Sequence, residues 1–180
     1  LYLGRIEAAK GVDHLFAALA QARAAGACWR LVCGGTGNMA WARSEVARLG
    51  LSDAVELAGW VDGPAKARLL AGCSLLVLPS LAENMPLVLL EAQTYSKPVI
   101  ATRVGGIPDM LTDGQEGLLV DPANTEALAQ ALVRAWQEPE PMAAMGRRGR
   151  ARARQCYHPQ QVAEKVASLY ANVLKQNGGR

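Results

Sequence analysis

The sequence predicts an α/β domain, a doubly wound parallel sheet with extra C-terminal helices, and three observations carry that expectation. Short aliphatic runs alternate with helix-periodic stretches through residue 120, and such alternation needs crossover connections that cover a parallel sheet on both faces. The conspicuous loops Gly4-Arg5, Gly34-Gly35-Thr36-Gly37, Gly59-Trp60, Pro79-Ser80 and Gly105-Gly106 each follow one of those runs. They should gather at the carboxyl edge of the sheet, where folds of this kind bind ligands. Finally, 180 residues with 51% hydrophobic content are enough to bury one proper core and too few for a second full domain.

In order, residues 1–4 read as a strand, 12–25 as a helix with Leu15, Phe16, Leu19 and Ala22 on one face, and 29–34 as a second strand. The pattern then repeats with a helix at 39–49, a strand at 55–58, a short helix at 65–71 and a strand at 74–78. A helix with Pro86 in its first turn carries Glu91. Residues 98–101 form the next strand, a helix starts near Ile107, and a strand at 117–120 follows the Asp113-Gly114 turn. The remainder is helical at 125–136, 141–155 and 159–175, with an interruption at 138–141. The domain is expected to span residues 1–176, with 177–180 as a frayed tail.

Composition excludes some functions. Only 5% of the residues are aromatic, too few for the stacking platforms of nucleic-acid binding, so no nucleic-acid partner is expected. The net charge of +3 is local: Arg147, Arg148, Arg150, Arg152 and Arg154 fall within eight acid-free residues, and without those five the 14 other bases face 16 acids. That tract reads as a solvated helix face, with an anionic surface such as a membrane as its alternative partner. Cys28, Cys33, Cys73 and Cys156 have neither metal-site nor disulfide-framework spacing. Cys33 and Cys73 sit in the apolar surroundings of reduced core thiols, which with the lack of a signal peptide or a spanning apolar run points to a cytoplasmic location.

The most informative stretch is PSLAENMPLVLLE, Pro79 to Glu91. Leu87, Val88, Leu89, Leu90 and Ala92 are apolar on every side, as in a helix buried in the body of a domain. A carboxylate there is costly unless partnered, so Glu91 must meet a cation, face a wet cleft or accept hydrogen bonds from a ligand. Glu83 lies at the mouth of the same helix, two turns earlier. Arg5 and Lys10 bracket GRIEAAKG, which leads into a helix after Gly11. A planar guanidinium and a compact ammonium near a helix start suit a diphosphate, or are two exposed cations on an ordinary surface loop. The Gly34–Gly37 run lets a backbone pass close to a ligand or is an ordinary turn. Gly105-Gly106 either offers N–H groups or allows tight packing.

Taken together, GRIEAAKG, the glycine run, Gly59-Trp60-Val61, the two glutamates separated by seven residues in LPSLAENMPLVLLEA, KPVIAT with RVGGIPDM, and TDGQEGLLVDPANTEALAQAL closely resemble the C-terminal, donor-binding domain of the GT-B retaining glycosyltransferases, family 4. The resemblance covers nearly the whole chain. It implies a Rossmann-like fold and transfer of a hexose from a nucleotide diphosphate sugar to a glycan or lipid-linked hydroxyl with retained configuration. By the same resemblance, Arg5 and Lys10 would hold the diphosphate and Glu83 the transferred sugar, these three being the catalytic candidates. Glu91 would take the ribose hydroxyls, as a carboxylate that can accept from two of them. Backbone near Leu87 and Val88 would assist, and the Trp60-Val61 loop would edge the base. Gly4, Gly34, Gly35, Thr36, Asn84 and Met85 complete the expected donor site. Two departures stand out: Glu83-Asn84-Met85-Pro86 replaces the commoner Glu-Gly-Phe-Gly, and Gly35 stands where an Asp is frequent.

The resemblance implies neither a metal nor another cofactor, only the nucleotide sugar as substrate, and an N-terminal acceptor-binding domain of the full-length protein as partner. His14 and His158, on a helix face and at a helix start, are poor candidates for a general base. A non-catalytic nucleotide-sugar-binding module and a GT-B-like epimerase are the competing readings. Family-level expectation places such a protein in the cytoplasm, with a peripheral contact at the inner membrane face.

Overall fold

The computed structural model describes residues 1–177. It contains β1 (Tyr2–Leu3), α1 (Val12–Ala24), β2 (Leu31–Gly34), α2 (Met39–Arg48), β3 (Val55–Gly59), α3 (Gly63–Gly72), β4 (Leu76–Leu78), α4 (Leu87–Thr94), β5 (Val99–Thr102), α5 (Ile107–Met110), β6 (Gly117–Val120), α6 (Thr125–Gln137), α7 (Pro139–Tyr157) and α8 (Pro159–Asn177). Strands β1-β2-β3 and β4-β5-β6 form two parallel three-stranded sheets. Leu1 joins them edge to edge: its nitrogen donates to the Leu75 carbonyl at 2.8 Å, and the Val77 N–H donates to the Leu1 carbonyl at 2.9 Å. The strands therefore run β3-β2-β1-β4-β5-β6, with the order reversing between β1 and β4. At that reversal the loops after two neighbouring strands diverge to opposite faces and leave a crevice.

Alternation along each strand divides the core. Tyr2, Val77, Ile100, Leu118 and Val120 pack with Phe16, Leu19, Val46 and Leu132 on one face, while Leu3, Leu76, Leu78, Val99, Ala101 and Leu119 pack with Leu70, Leu89 and Ile107 on the other. This is the doubly wound arrangement that the alternating pattern predicts. β3, at one edge, has the more exposed alternation of a half-covered strand.

Several boundaries differ from expectation for local reasons. α3 starts two residues early because Asp62 caps it, accepting from the Ala65 N–H at 2.7 Å, with Pro64 in the first turn. α7 starts at Pro139, since prolines in a first turn forfeit no helical hydrogen bond, which reduces the expected interruption at 138–141 to Glu138. β2 starts at Leu31 because Trp29 turns its indole toward α6, donating to the Leu132 carbonyl at 2.9 Å and meeting Trp136 edge-on. The frayed tail expected at 177–180 lies, beyond Asn177, outside the described residues.

The arginine tract is only partly a solvated face. Arg152 donates to the Asp109 carbonyl at 2.7 Å and to Thr112 Oγ1 at 3.2 Å, and it lies 3.6 Å from Glu116, a buried carboxylate. With Arg148 on the Gln115 carbonyl it straps α7 to the α5–β6 loop. Arg147, Arg150 and Arg154 remain exposed. Among the described residues, no helix is long and apolar enough to cross a membrane.

Candidate functional site

A cleft of about 480 Å³ opens at the carboxyl ends of β1, β2 and β3, against the first turns of α3 and α4. Gly4 and Arg5 enter from β1, Gly34, Gly35 and Thr36 from β2, and Trp60 and Val61 from β3, while Leu87, Val88 and Glu91 of α4 form the facing wall. These are ten of the residues singled out in the sequence, brought together from four separate segments. Parallel strands deliver them because every following loop leaves the same edge.

The apolar run of α4 is not buried all round as its composition suggests. Leu89, Ala92 and Gln93 face the core, but Leu87 is 69% exposed and Val88 only half-buried. The first turn of this helix thus presents apolar surface to the cleft. No side chain caps the helix; the Leu89 N–H donates to the Pro86 carbonyl at 3.1 Å, and the Leu87 and Val88 N–H groups are open to a ligand or to water. Pro86 serves as the N-cap, where its missing N–H costs nothing. Trp60, 78% exposed, adds a second apolar surface at the rim.

Glu91 takes the partnered form that its position demanded. Its Oε1 accepts from Lys66 Nζ at 2.6 Å, and the side chain retains 35% exposure at the cleft wall. Lys66 is a lining residue that sequence reasoning missed. No local pattern marked it, because its partner Glu91 belongs to α4 and meets it only in the folded chain.

Lys10, Glu83, Asn84 and Met85 do not line the cleft. Lys10 and Glu83 instead find each other: Nζ donates to Glu83 Oε1 at 2.7 Å, and Ser80 Oγ donates to the same oxygen at 2.9 Å. The Glu83 side chain is 15% exposed. Two glycines make this meeting possible. Gly11 has φ +62°, and a Cβ there would fall 2.0 Å from the Pro79 carbonyl oxygen; Gly105 has φ +51°, and its Cβ would fall 1.5 Å from the Glu83 carbonyl oxygen. Only a residue without a side chain lets these turns pass so close. The Leu81 N–H donates to the Ala9 carbonyl at 2.9 Å, and the Gly106 N–H donates to the Asn84 carbonyl at 2.8 Å. Gly105-Gly106 is therefore a packing platform under the Glu83 loop, and the Gly106 N–H is already engaged.

Arg5 lines the cleft but is 74% exposed and lies 3.1 Å from Glu7. Its loop is fixed from below by buried Tyr2, whose hydroxyl donates to the Arg5 carbonyl at 2.6 Å. Tyr2 is a second positioning residue absent from the sequence-based set. Burial raises its phenol pKa, with the buried Cys33 thiol adding to the effect, which keeps the hydroxyl a donor. His14 is engaged with Thr125 at 2.9 Å, away from the cleft.

A Rossmann-like sheet with its cleft at the strand-order reversal, a carboxylate on the facing helix and a glycine loop opposite defines a doubly wound α/β domain with a cleft at its carboxyl edge. The chain belongs to the glycosyl transferases group 1 family, whose model matches residues 1–138. It has the fold of the C-terminal domain of a GT-B glycosyltransferase. It is 34% identical to the D-inositol 3-phosphate glycosyltransferase of Streptomyces griseus, over 100% of this chain and 40% of that protein. Its structure resembles that of Anabaena HepE in complex with UDP-glucose, with a TM-score of 0.80 and 25% identity, covering 93% of this chain and 48% of the other. It also matches the C-terminal domain of the group 1 glycosyl transferase LpcC from Francisella tularensis in fold, at TM-score 0.77 and 22% identity over 88% and 85% of the two chains. The chain thus spans less than half the length of the first two relatives.

Proposed function

We propose that this chain is the donor-binding domain of a retaining glycosyltransferase, holding a UDP-sugar whose hexose passes to a glycan or lipid-linked hydroxyl. The observation that carries the reading is the cleft at the carboxyl edge, whose one wall joins Glu91 to the uncapped start of α4. A nucleotide laid across it would put its ribose hydroxyls at Glu91 and its base between Trp60 and Val61. Its diphosphate would lie between Arg5 and the first N–H groups of α4, where a helix N-terminus favours an anion. UDP as the carrier is supported by the likeness to HepE, which is recorded with UDP-glucose.

In the reaction, the C1–O bond of the sugar breaks and negative charge grows on the departing diphosphate. Preorganised cations act most strongly there; Arg5, at the cleft, would carry that role together with Lys10, which lies outside the cleft lining and is held against Glu83. The acceptor hydroxyl attacks from the face that the diphosphate leaves, and a phosphate oxygen takes its proton, so no separate base is assigned. Glu83, held between Lys10 and Ser80, would meet the hydroxyls of the hexose. The acceptor-binding domain would come from the additional length that the relatives possess. The exposed Arg147, Arg150 and Arg154 would offer a weak contact to an anionic membrane at the cytoplasmic face.

Calorimetric titration of the chain with UDP, GDP and ADP tests the reading. Saturable binding of UDP, stronger than that of the other two, is expected. Absence of binding by all three at millimolar concentration would overturn it, and release of an altered sugar from the donor with no acceptor added would favour the epimerase.

A further inference from the structure

We propose that Lys66 and Glu91 act as one unit that reads the ribose diol of the donor, Lys66 being a positioning and specificity-determining residue; this rests on the donor reading given above. The two side chains come from different helices, α3 and α4, and meet at 2.6 Å inside the cleft rather than in the core. Lys66 engages Oε1 alone, and among the described residues no group engages Oε2.

The chemistry of the pair is complementary. An ionised carboxylate can only accept hydrogen bonds and an ammonium can only donate, whereas each ribose hydroxyl does both. One hydroxyl can therefore donate to Glu91 Oε2 while another accepts from a remaining N–H of Lys66. Neither residue alone satisfies the diol in that way. The bond to Lys66 also limits the rotamers open to Glu91, so that less freedom is lost when the nucleotide arrives.

Placement argues against a purely structural role. The side chains are 37% and 35% exposed, and ion pairs that open to solvent add little to fold stability. Besides Lys66, the cleft is lined by one other cation, Arg5, which has its own acid in Glu7. Asp62, the acid nearest to Lys66 in sequence, is occupied in capping α3 through Ala65. Glu91 is thus the acid that the structure assigns to Lys66.

The test compares UDP with 2′-deoxy-UDP by calorimetric titration in the unmodified chain, in Lys66→Met, in Lys66→Gln and in the conservative Lys66→Arg. The unmodified chain is expected to prefer UDP by about tenfold or more, the usual worth of a charged hydrogen bond. Lys66→Met and Lys66→Gln should lose about tenfold in UDP affinity and hold 2′-deoxy-UDP within about twofold, so that the preference collapses. Lys66→Arg should keep part of it. Thermal unfolding within about 3 °C of the unmodified chain shows that the fold is intact. A preference that survives both Met and Gln overturns the proposal, as does an equal loss for the two nucleotides, which would make Lys66 a general phosphate cation. Binding of UDP and 2′-deoxy-UDP with equal affinity by the unmodified chain also overturns it while leaving the nucleotide reading in place. No binding of either by the unmodified chain would instead remove the donor reading itself.

Discussion

Replacing Lys10 with Ala, in a double-mutant cycle with Glu83→Gln, probes the contact that ties the β1–α1 loop to the loop before α4. The charged atoms stand 2.7 Å apart, and the side chains are 25% and 15% exposed. At an effective dielectric of about 20, unit charges at that separation attract by roughly 6 kcal/mol. Desolvation of two mostly covered ions and the ordering of a lysine offset much of this, leaving a coupling of about 1–3 kcal/mol. Lys10→Ala alone should cost about 2–3 kcal/mol, because Glu83 keeps only the Ser80 hydroxyl as a partner. For a chain of this length that corresponds to a fall in Tm of roughly 4–12 °C. Urea unfolding of the four proteins at neutral pH and low salt measures the coupling. A second readout separates fold from function: Lys10→Ala should weaken UDP binding by about 1.5–3 kcal/mol, the loss of one charged hydrogen bond. A coupling below about 0.5 kcal/mol, the limit for independent sites, would refute the pair, and unchanged UDP affinity would remove Lys10 from the donor site.

Gly105→Ala should destabilise the fold by about 2–4 kcal/mol, because it adds left-handed strain to an overpacked contact with the Glu83 carbonyl. Chemical denaturation checks it, and a cost under about 1 kcal/mol would mean that the two loops are free to separate. Thiol chemistry offers a test independent of the donor. Burial pushes the Cys33 thiol up to about 12, so it stays protonated and unreactive at pH 8, where exposed Cys28 should be alkylated readily. Peptide mapping after iodoacetamide treatment distinguishes them, and labelling of native Cys33 as fast as Cys28 would contradict its burial.

The alternation of elements and the aliphatic runs were enough to predict the parallel sheet and its two covered faces, because a buried strand and an amphipathic helix each write a local period into the chain. The loops that follow the strands were equally legible, and ten residues taken from them and from α4 do line one cleft. Glu83 and Glu91 announced themselves as carboxylates beside apolar neighbours, which local chemistry alone makes conspicuous. The exposure of Leu87 was not legible, since a run of apolar residues looks the same whether it faces a core or a ligand cleft.

The tertiary structure alone decided the partners. Lys66 and Glu91 lie 25 positions apart, and Lys10 and Glu83 lie 73 apart. No local pattern encodes such pairings, because they arise only when the sheet order brings the loops of distant strands to one edge. The same holds for Tyr2 beneath Arg5, for Arg152 strapping α7 to its neighbouring loop, and for Gly105, whose missing side chain matters only because the Glu83 carbonyl lies against it. Periodicity is a property of neighbours along the chain and is written in the sequence, whereas ion pairing and close approach are properties of neighbours in space.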